Sequence, residues 1–147
     1  MIVKMDYCHV KKVAELEKMC FSSPWSENAL SEEVENEGAY FIVSVNEVNE
    51  VEGYAGMHIV LDECYIDNIA VFPEARGRGT AKMLLTSLEE KVKEINAYFL
   101  TLEVREGNER ARFIYEKFGF LNQGVRKNFY ENPKENAVIY TKFYKES

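Results

Sequence analysis

The stretch Cys64-Tyr-Ile-Asp-Asn-Ile-Ala-Val-Phe-Pro-Glu-Ala-Arg-Gly-Arg-Gly-Thr-Ala-Lys-Met-Leu-Leu85 decides how the chain folds. Its first half reads as a buried strand that ends at Pro73, and its second half as a helix that opens on Gly77-Arg78-Gly79. The first N–H groups of such a helix have no partner within it and point outward. Together with the positive end of the helix dipole they form a site for an anion.

Downstream of the glycines, Ala81, Leu84, Leu85, Leu88, Val92 and Ile95 fall on one helical face. Tyr98–Arg105 then reads as a strand. Strand, helix and strand form a β-α-β unit, which requires parallel strands and a right-handed crossover. Upstream, Tyr40–Val45 and Gly53–Val60 are strands with short polar connections, so an antiparallel meander leads into the quoted stretch. Ile2–Lys4 reads as a short first strand. Val10, Val13, Ala14, Leu16, Glu17 and Met19 mark a helix ending near Cys20. Ser26 reads as the N-cap of a second helix, from Glu27 to about Asn36, with Gly38 as its stop. Asn108 opens a further helix, which runs to about Lys117 and ends at Gly119. Val125–Tyr130 and Ala137–Tyr144 read as a C-terminal hairpin. The fold class is α/β in the α+β sense, with a mixed central sheet and four flanking helices, in a single domain spanning residues 1–147.

Composition narrows the function. A net charge of −7 speaks against nucleic acid as the main ligand, since that binding rests on basic surface. It suits a cationic partner such as an amine or a basic peptide, and equally serves plain solubility. No run is long and apolar enough to cross a membrane, and Met-Ile-Val-Lys-Met-Asp lacks the order of a signal peptide. Cys8, Cys20 and Cys64 form no C-x-x-C pair, which fits reduced thiols. These features together argue for the cytoplasm. With two histidines, His9 and His58, no metal site is expected, and both histidines and the cysteines read as structural or incidental.

The glycine loop fits neither familiar nucleotide pattern. G-x-x-x-x-G-K-[ST] is absent, and G-x-G-x-x-G fails at Lys82. What matches is [Q/R]-x-x-G-x-[G/A], read as Arg76, Gly79 and Ala81. With Asp67-Asn-Ile-Ala-Val-Phe-Pro73 before it and Leu102-Glu-Val-Arg105, Asn108, Ala111 and Tyr115-Glu-Lys-Phe-Gly-Phe120 after it, the chain resembles the GNAT superfamily of N-acetyltransferases. Pro24-Trp25-Ser26, Glu103, the pair Asn108 and Tyr115, and Arg126-Lys-Asn-Phe-Tyr130 make it most similar to the subfamily that acetylates the N-terminal alanine of a small-subunit ribosomal protein. The resemblance implies acetyl-CoA as co-substrate, with no metal. It implies that the backbone of Ile69, Ala70 and Val71 pairs with the pantetheine arm. The loop Arg76, Gly77, Arg78, Gly79, Thr80, Ala81 and Lys82 would hold the pyrophosphate, and Asn108 would contact the cofactor near its sulfur. Glu103 would accept the proton and Tyr115 donate one. Two positions depart from the pattern: Thr80 stands where an aliphatic residue is common, and Gly107 where serine is common. Thr80 is expected to loosen the packing of the first helical turn.

The chemistry asks for these residue types. Forming an amide from an amine and a thioester requires removal of a proton from the ammonium, stabilisation of the developing oxyanion, and protonation of a leaving thiolate whose pKa is about 8.5. Phe99, Thr101, Glu103 and Arg105 share one face of their strand, opposite Leu100, Leu102 and Val104. Glu103 on that more polar face is either a base or the partner of an arginine. Tyr115 lies two helical turns after Asn108 and faces the same way, as an acid or as a core tyrosine with its hydroxyl at the rim. Asn108 serves as an N-cap, a ligand contact, or both. Arg76, Arg78 and Lys82 are phosphate contacts or solvated charges, and Trp25 lines a peptide site or covers the core. The acceptor is a basic peptide or protein N-terminus, with a small-molecule amine as the alternative. A non-catalytic acyl-CoA-binding subunit is a third reading, which the presence of both Glu103 and Tyr115 opposes.

Overall fold

The computed structural model describes residues 1–145. Asp6 starts the first helix: its carboxylate accepts the Tyr7 N–H at 2.7 Å, while the Asp6 N–H donates to His9 Nδ1 at 3.0 Å. The elements are β1 (Ile2–Lys4), α1 (Tyr7–Cys20), α2 (Glu27–Val34), β2 (Ala39–Val45), β3 (Val51–Val60), β4 (Glu63–Val71), α3 (Thr80–Glu94), β5 (Phe99–Arg105), α4 (Glu109–Phe118), β6 (Leu121–Tyr130) and β7 (Glu135–Phe143), with a single 3-10 turn at Pro73–Ala75. No helix among the described residues is long and apolar enough to cross a membrane. The α2 helix is shorter than its polar sequence suggests. It ends at Val34, and the Asn36 side chain then turns the chain by accepting the Gly38 N–H. At the other end of α2 the Ser26 hydroxyl accepts the Ala29 N–H, as expected of its N-cap.

Seven strands form one sheet in the order β1-β2-β3-β4-β5-β7-β6. All neighbours are antiparallel except β4 and β5, the pair joined by α3. Strand alternation divides the apolar residues between two cores. Ile42, Met57, Ile66, Leu100, Leu102 and Val104 face α3, whose Leu84, Leu85, Leu88 and Val92 are fully buried. Each of those side chains stabilises the fold by roughly 1.5–3 kcal/mol relative to exposure. Phe41, Val43, Val45, Tyr54 and Ala70 face the other way, toward Val10, Val13, Leu16 and Leu30 of α1 and α2.

The sheet is split at its centre. The β4–β5 pairing covers only Glu63–Tyr65 against Phe99–Thr101. Past that point β4 follows β3 as far as Val71, while β5 follows β7 as far as Arg105. The register on β4 shifts here as well: Gly56 pairs with Asn68 and Met57 with Ile66, which leaves Asp67 as an extra, bulged residue. The split therefore exposes one backbone edge of β4 from the bulge to Val71.

Candidate active site

The exposed edge borders a cleft of about 570 Å³. Ile69, Ala70 and Val71 form one wall. Gly77, Gly79, Thr80, Ala81 and Lys82 form its end, and Asn108, Ala111, Ile114 and Tyr115 close the far side. The glycine loop has the conformation an anion site needs. Gly77 and Gly79 have φ of +80° and +77°, which glycine adopts at no steric cost, and Gly79 is the left-handed residue from which α3 starts. Arg76 and Lys82 line the cleft. Arg78 does not. Its guanidinium turns outward to the Glu74 carbonyl at 2.6 Å and to Glu52 at 3.4 Å, so only its backbone is left for a ligand. Thr80 does not loosen the helix start. It is buried, and its hydroxyl donates to the Ala75 carbonyl at 3.3 Å, tying the first turn of α3 to the 3-10 turn. Cys20 and the exposed Met19 at the end of α1 also border the cleft.

Asn108 caps α4, accepting the Ala111 N–H at 3.2 Å, and lines the cleft as well. Tyr115 lies on the same face of α4, with its ring packed on Phe120 and Tyr140 at centroid distances of 5.8 and 6.2 Å. Burial, with a smaller contribution from Tyr130, holds its hydroxyl well above the usual tyrosine range, so it is a protonated phenol at neutral pH. Glu103 projects from the opposite face of β5, away from the core beneath α3. It pairs with Arg126 at 3.4 Å, so the arginine-partner reading of this residue is realised. Tyr130 links the two sides. Burial and the Glu103 carboxylate push its hydroxyl up to about 12, so it too is a neutral phenol at neutral pH.

Two contacts escaped the sequence reading. Arg105 staples the α1–α2 loop to the β6–β7 turn. It donates to Ser22 Oγ and the Glu131 carbonyl, each at 3.0 Å, and to the Pro133 carbonyl at 2.9 Å. It also pairs with Glu135 at 3.1 Å and stacks on the Tyr130 ring at 4.5 Å. Ser22 itself donates to the Glu131 carbonyl at 3.2 Å, which closes the α1–α2 loop onto the β6–β7 turn. The absence of a side chain at Gly107 belongs to this staple. Its N–H donates to Glu135 at 2.7 Å, and a Cβ there would meet the same oxygen at 2.7 Å, so a serine would displace the Glu135 carboxylate.

Residues 10–120 match the Acetyltransferase (GNAT) family. The chain belongs to the GNAT family. A ribosomal protein bS18-alanine N-acetyltransferase from Haemophilus influenzae is 39% identical over 142 residues, covering 94% of each chain. The Escherichia coli protein of the same name is 31% identical over 127 residues, 84% of each chain. The crystal structure of the ribosomal-protein-S18-alanine N-acetyltransferase from Escherichia coli superimposes with a TM-score of 0.88 at 26% identity, over 100% of this chain and 95% of that one. The fold is also that of Arabidopsis thaliana NAA60 in complex with acetyl-CoA, with a TM-score of 0.89 at 16% identity over 98% of this chain and 99% of that one.

This GNAT chain is an acetyl-CoA-dependent N-acetyltransferase. The residues present fit that co-substrate. An open strand edge suits the amide groups of a pantetheine arm, and left-handed glycines ahead of α3 suit a pyrophosphate. The acetyl-CoA supplies the thioester carbon that the amine attacks.

Proposed function

We propose that the chain acetylates the N-terminal amine of an alanine-starting ribosomal protein in the cytoplasm, by direct attack in a ternary complex. The observation that carries this reading is the split between β4 and β5. It opens an edge for acetyl-CoA on the side of Tyr115, and Glu103 stands at the same opening on the other face. Ile69–Val71 hold the pantetheine, and the amides from Gly77 to Lys82, assisted by the Arg76 and Lys82 side chains, hold the pyrophosphate. Asn108 meets the cofactor near its sulfur. Glu103 takes the proton from the acceptor's ammonium, directly or through a water. A backbone N–H of the β4 edge ending at Val71 stabilises the developing oxyanion. Tyr115, kept protonated by burial, gives its proton to the departing thiolate. The activities for which the 31–39% identical relatives are named favour a protein N-terminus over a small amine.

The test is acetyl-CoA turnover with a synthetic basic peptide that begins with alanine. An acetylated α-amine, identified by mass spectrometry, is expected. Turnover of spermidine or free amino acids with none of the peptide would replace the acceptor and leave the acetyl transfer intact. At the leaving-group end, Tyr115→Phe lowers kcat by about 10- to 100-fold, measured in steady state. This is at or below the low end for general acids, because a thiolate with a thiol pKa of about 8.5 leaves fairly well unaided. Unchanged kcat in that variant would move the proton donor elsewhere.

A further inference from the structure

A second carboxylate, Asp67, lies on β4 at the split between β4 and β5. The β4–β5 pairing stops at Tyr65 and Thr101, and two residues further along the two strands lie Asp67 and Glu103. The bulge turns Asp67 toward the face covered by α1 and α2, and strand alternation puts Glu103 on that same face. Asp67 Oδ2 meets His58 Nδ1 at 2.6 Å, and His58 Nε2 meets Glu33 Oε2 at 2.6 Å. The imidazole also lies stacked against Trp25, with an interplanar angle of 17°. His58, backed by Glu33 and Trp25, thus holds one carboxylate in place. Its other oxygen, Oδ1, has no hydrogen-bond partner among the described residues, and the Asp67 side chain keeps 24% exposure.

We propose that Asp67 is a second acceptor-binding carboxylate: Oδ1 receives the incoming ammonium across the split from Glu103, while His58 and Glu33 fix the carboxylate in that orientation. This rests on the reading of the split as the acceptor's route. The balance of charge supports it. Burial pushes the Asp67 carboxyl up to about 6 despite the lowering pull of His58. The groups that face it are Glu33 from α2 and Glu17 from α1, both of which raise it further, together with His58 from β3. His58 is held above its ordinary pKa: burial lowers it, and Asp67 and Glu33 together outweigh burial. One imidazole ring therefore meets two carboxylates through its two nitrogens, and a cation at Oδ1 relieves the remaining cost of a desolvated charge. His58 acts here as a positioning residue and Trp25 as its support.

The test compares the dissociation constants of an alanine-starting basic peptide with a free amine and of the same peptide N-acetylated, each in the presence of saturating CoA. Asp67→Asn is expected to weaken the free-amine peptide by about tenfold, the scale of one charge-assisted hydrogen bond, and to leave the acetylated peptide and the KM for acetyl-CoA unchanged. His58→Gln shifts the free-amine peptide in the same direction by less. Equal weakening of both peptides, or none, would overturn the assignment. If the wild type fails to acetylate the peptide, the acceptor reading falls separately. The same comparison then uses spermidine against N-acetylspermidine, where selective weakening of the free amine supports the role of Asp67 and equal or absent weakening overturns it.

Discussion

Glu103→Gln lowers kcat by about 10²- to 10⁴-fold with the alanine-starting peptide, while the KM for acetyl-CoA stays close to that of the wild type. The substitution preserves size and one acceptor oxygen and removes the negative charge, and with it both the ability to take a proton and the ion pair with Arg126. Glu103 does not line the cleft proposed to hold the cofactor, so the affinity for acetyl-CoA has no reason to change. The competing account is that Glu103 serves the ion pair with Arg126. That pair is 3.4 Å long, with side chains 57% and 34% exposed, and an ion pair so solvated contributes at most about 1 kcal/mol. Loss of the pair alone would lower the melting temperature slightly and leave kcat near its original value. Arg126→Ala separates the two accounts: it breaks the same pair and is expected to leave most of the turnover. A Glu103→Gln enzyme with wild-type kcat would show that the proton leaves by another route.

The elements whose signals are local were legible in the sequence. Leu84, Leu85, Leu88 and Val92 repeat at helical spacing, and the helix they specify buries them. The alternation in Phe99–Arg105 set Glu103 apart from Leu102 and Val104, and β5 has that polarity. Gly119 at φ +107° ends α4 where it was expected to. What stayed hidden depends on contacts between distant segments. The single bulged residue at Asp67 leaves no trace in an apolar run, because a one-residue shift of register is visible only against the partner strand. Arg105 looked like the end of a strand, and its role needs Ser22 and Glu131, which are 109 residues apart in the chain. Arg78 looked like a phosphate contact because charge clusters by sequence, whereas its direction is set by Glu52 on the neighbouring strand. His58, read as structural or incidental, acquires its partners only when α2 lies across β3.

Glu17 shows the same limit most sharply, and its removal is expected to have the largest effect on stability. On α1 it continues an apolar stripe, yet it is a carboxyl group with no exposed surface. Tyr54 O–H donates to it through a short contact, Asn68 Nδ2 donates at 2.9 Å, and the Trp25 N–H donates at 2.9 Å. One side chain thus joins α1 to the α1–α2 loop and to the residue beside the Asp67 bulge. Glu17→Ala leaves three buried donors unpaired and opens a cavity, a loss of about 3–5 kcal/mol. For a chain of this size that lowers Tm by about 10–15 °C, measured by calorimetry. Glu17→Gln costs less, because its carbonyl still accepts, but its NH₂ must face at least one donor. The two substitutions also differ from the wild type in pH dependence. Burial raises the Glu17 pKa against the pull of Trp25, Tyr54 and Asn68, so the folded state holds its proton more tightly than the unfolded chain does. Its stabilising contribution is complete below the unfolded value of about 4.3 and is lost as pH rises through the raised folded value. The Tm advantage of the wild type over Glu17→Gln therefore widens as pH falls from neutral toward about 4.3, since every other titrating carboxylate cancels in the difference. A constant gap would mean that Glu17 has the same proton affinity folded and unfolded, and that its three donors offset its burial in full.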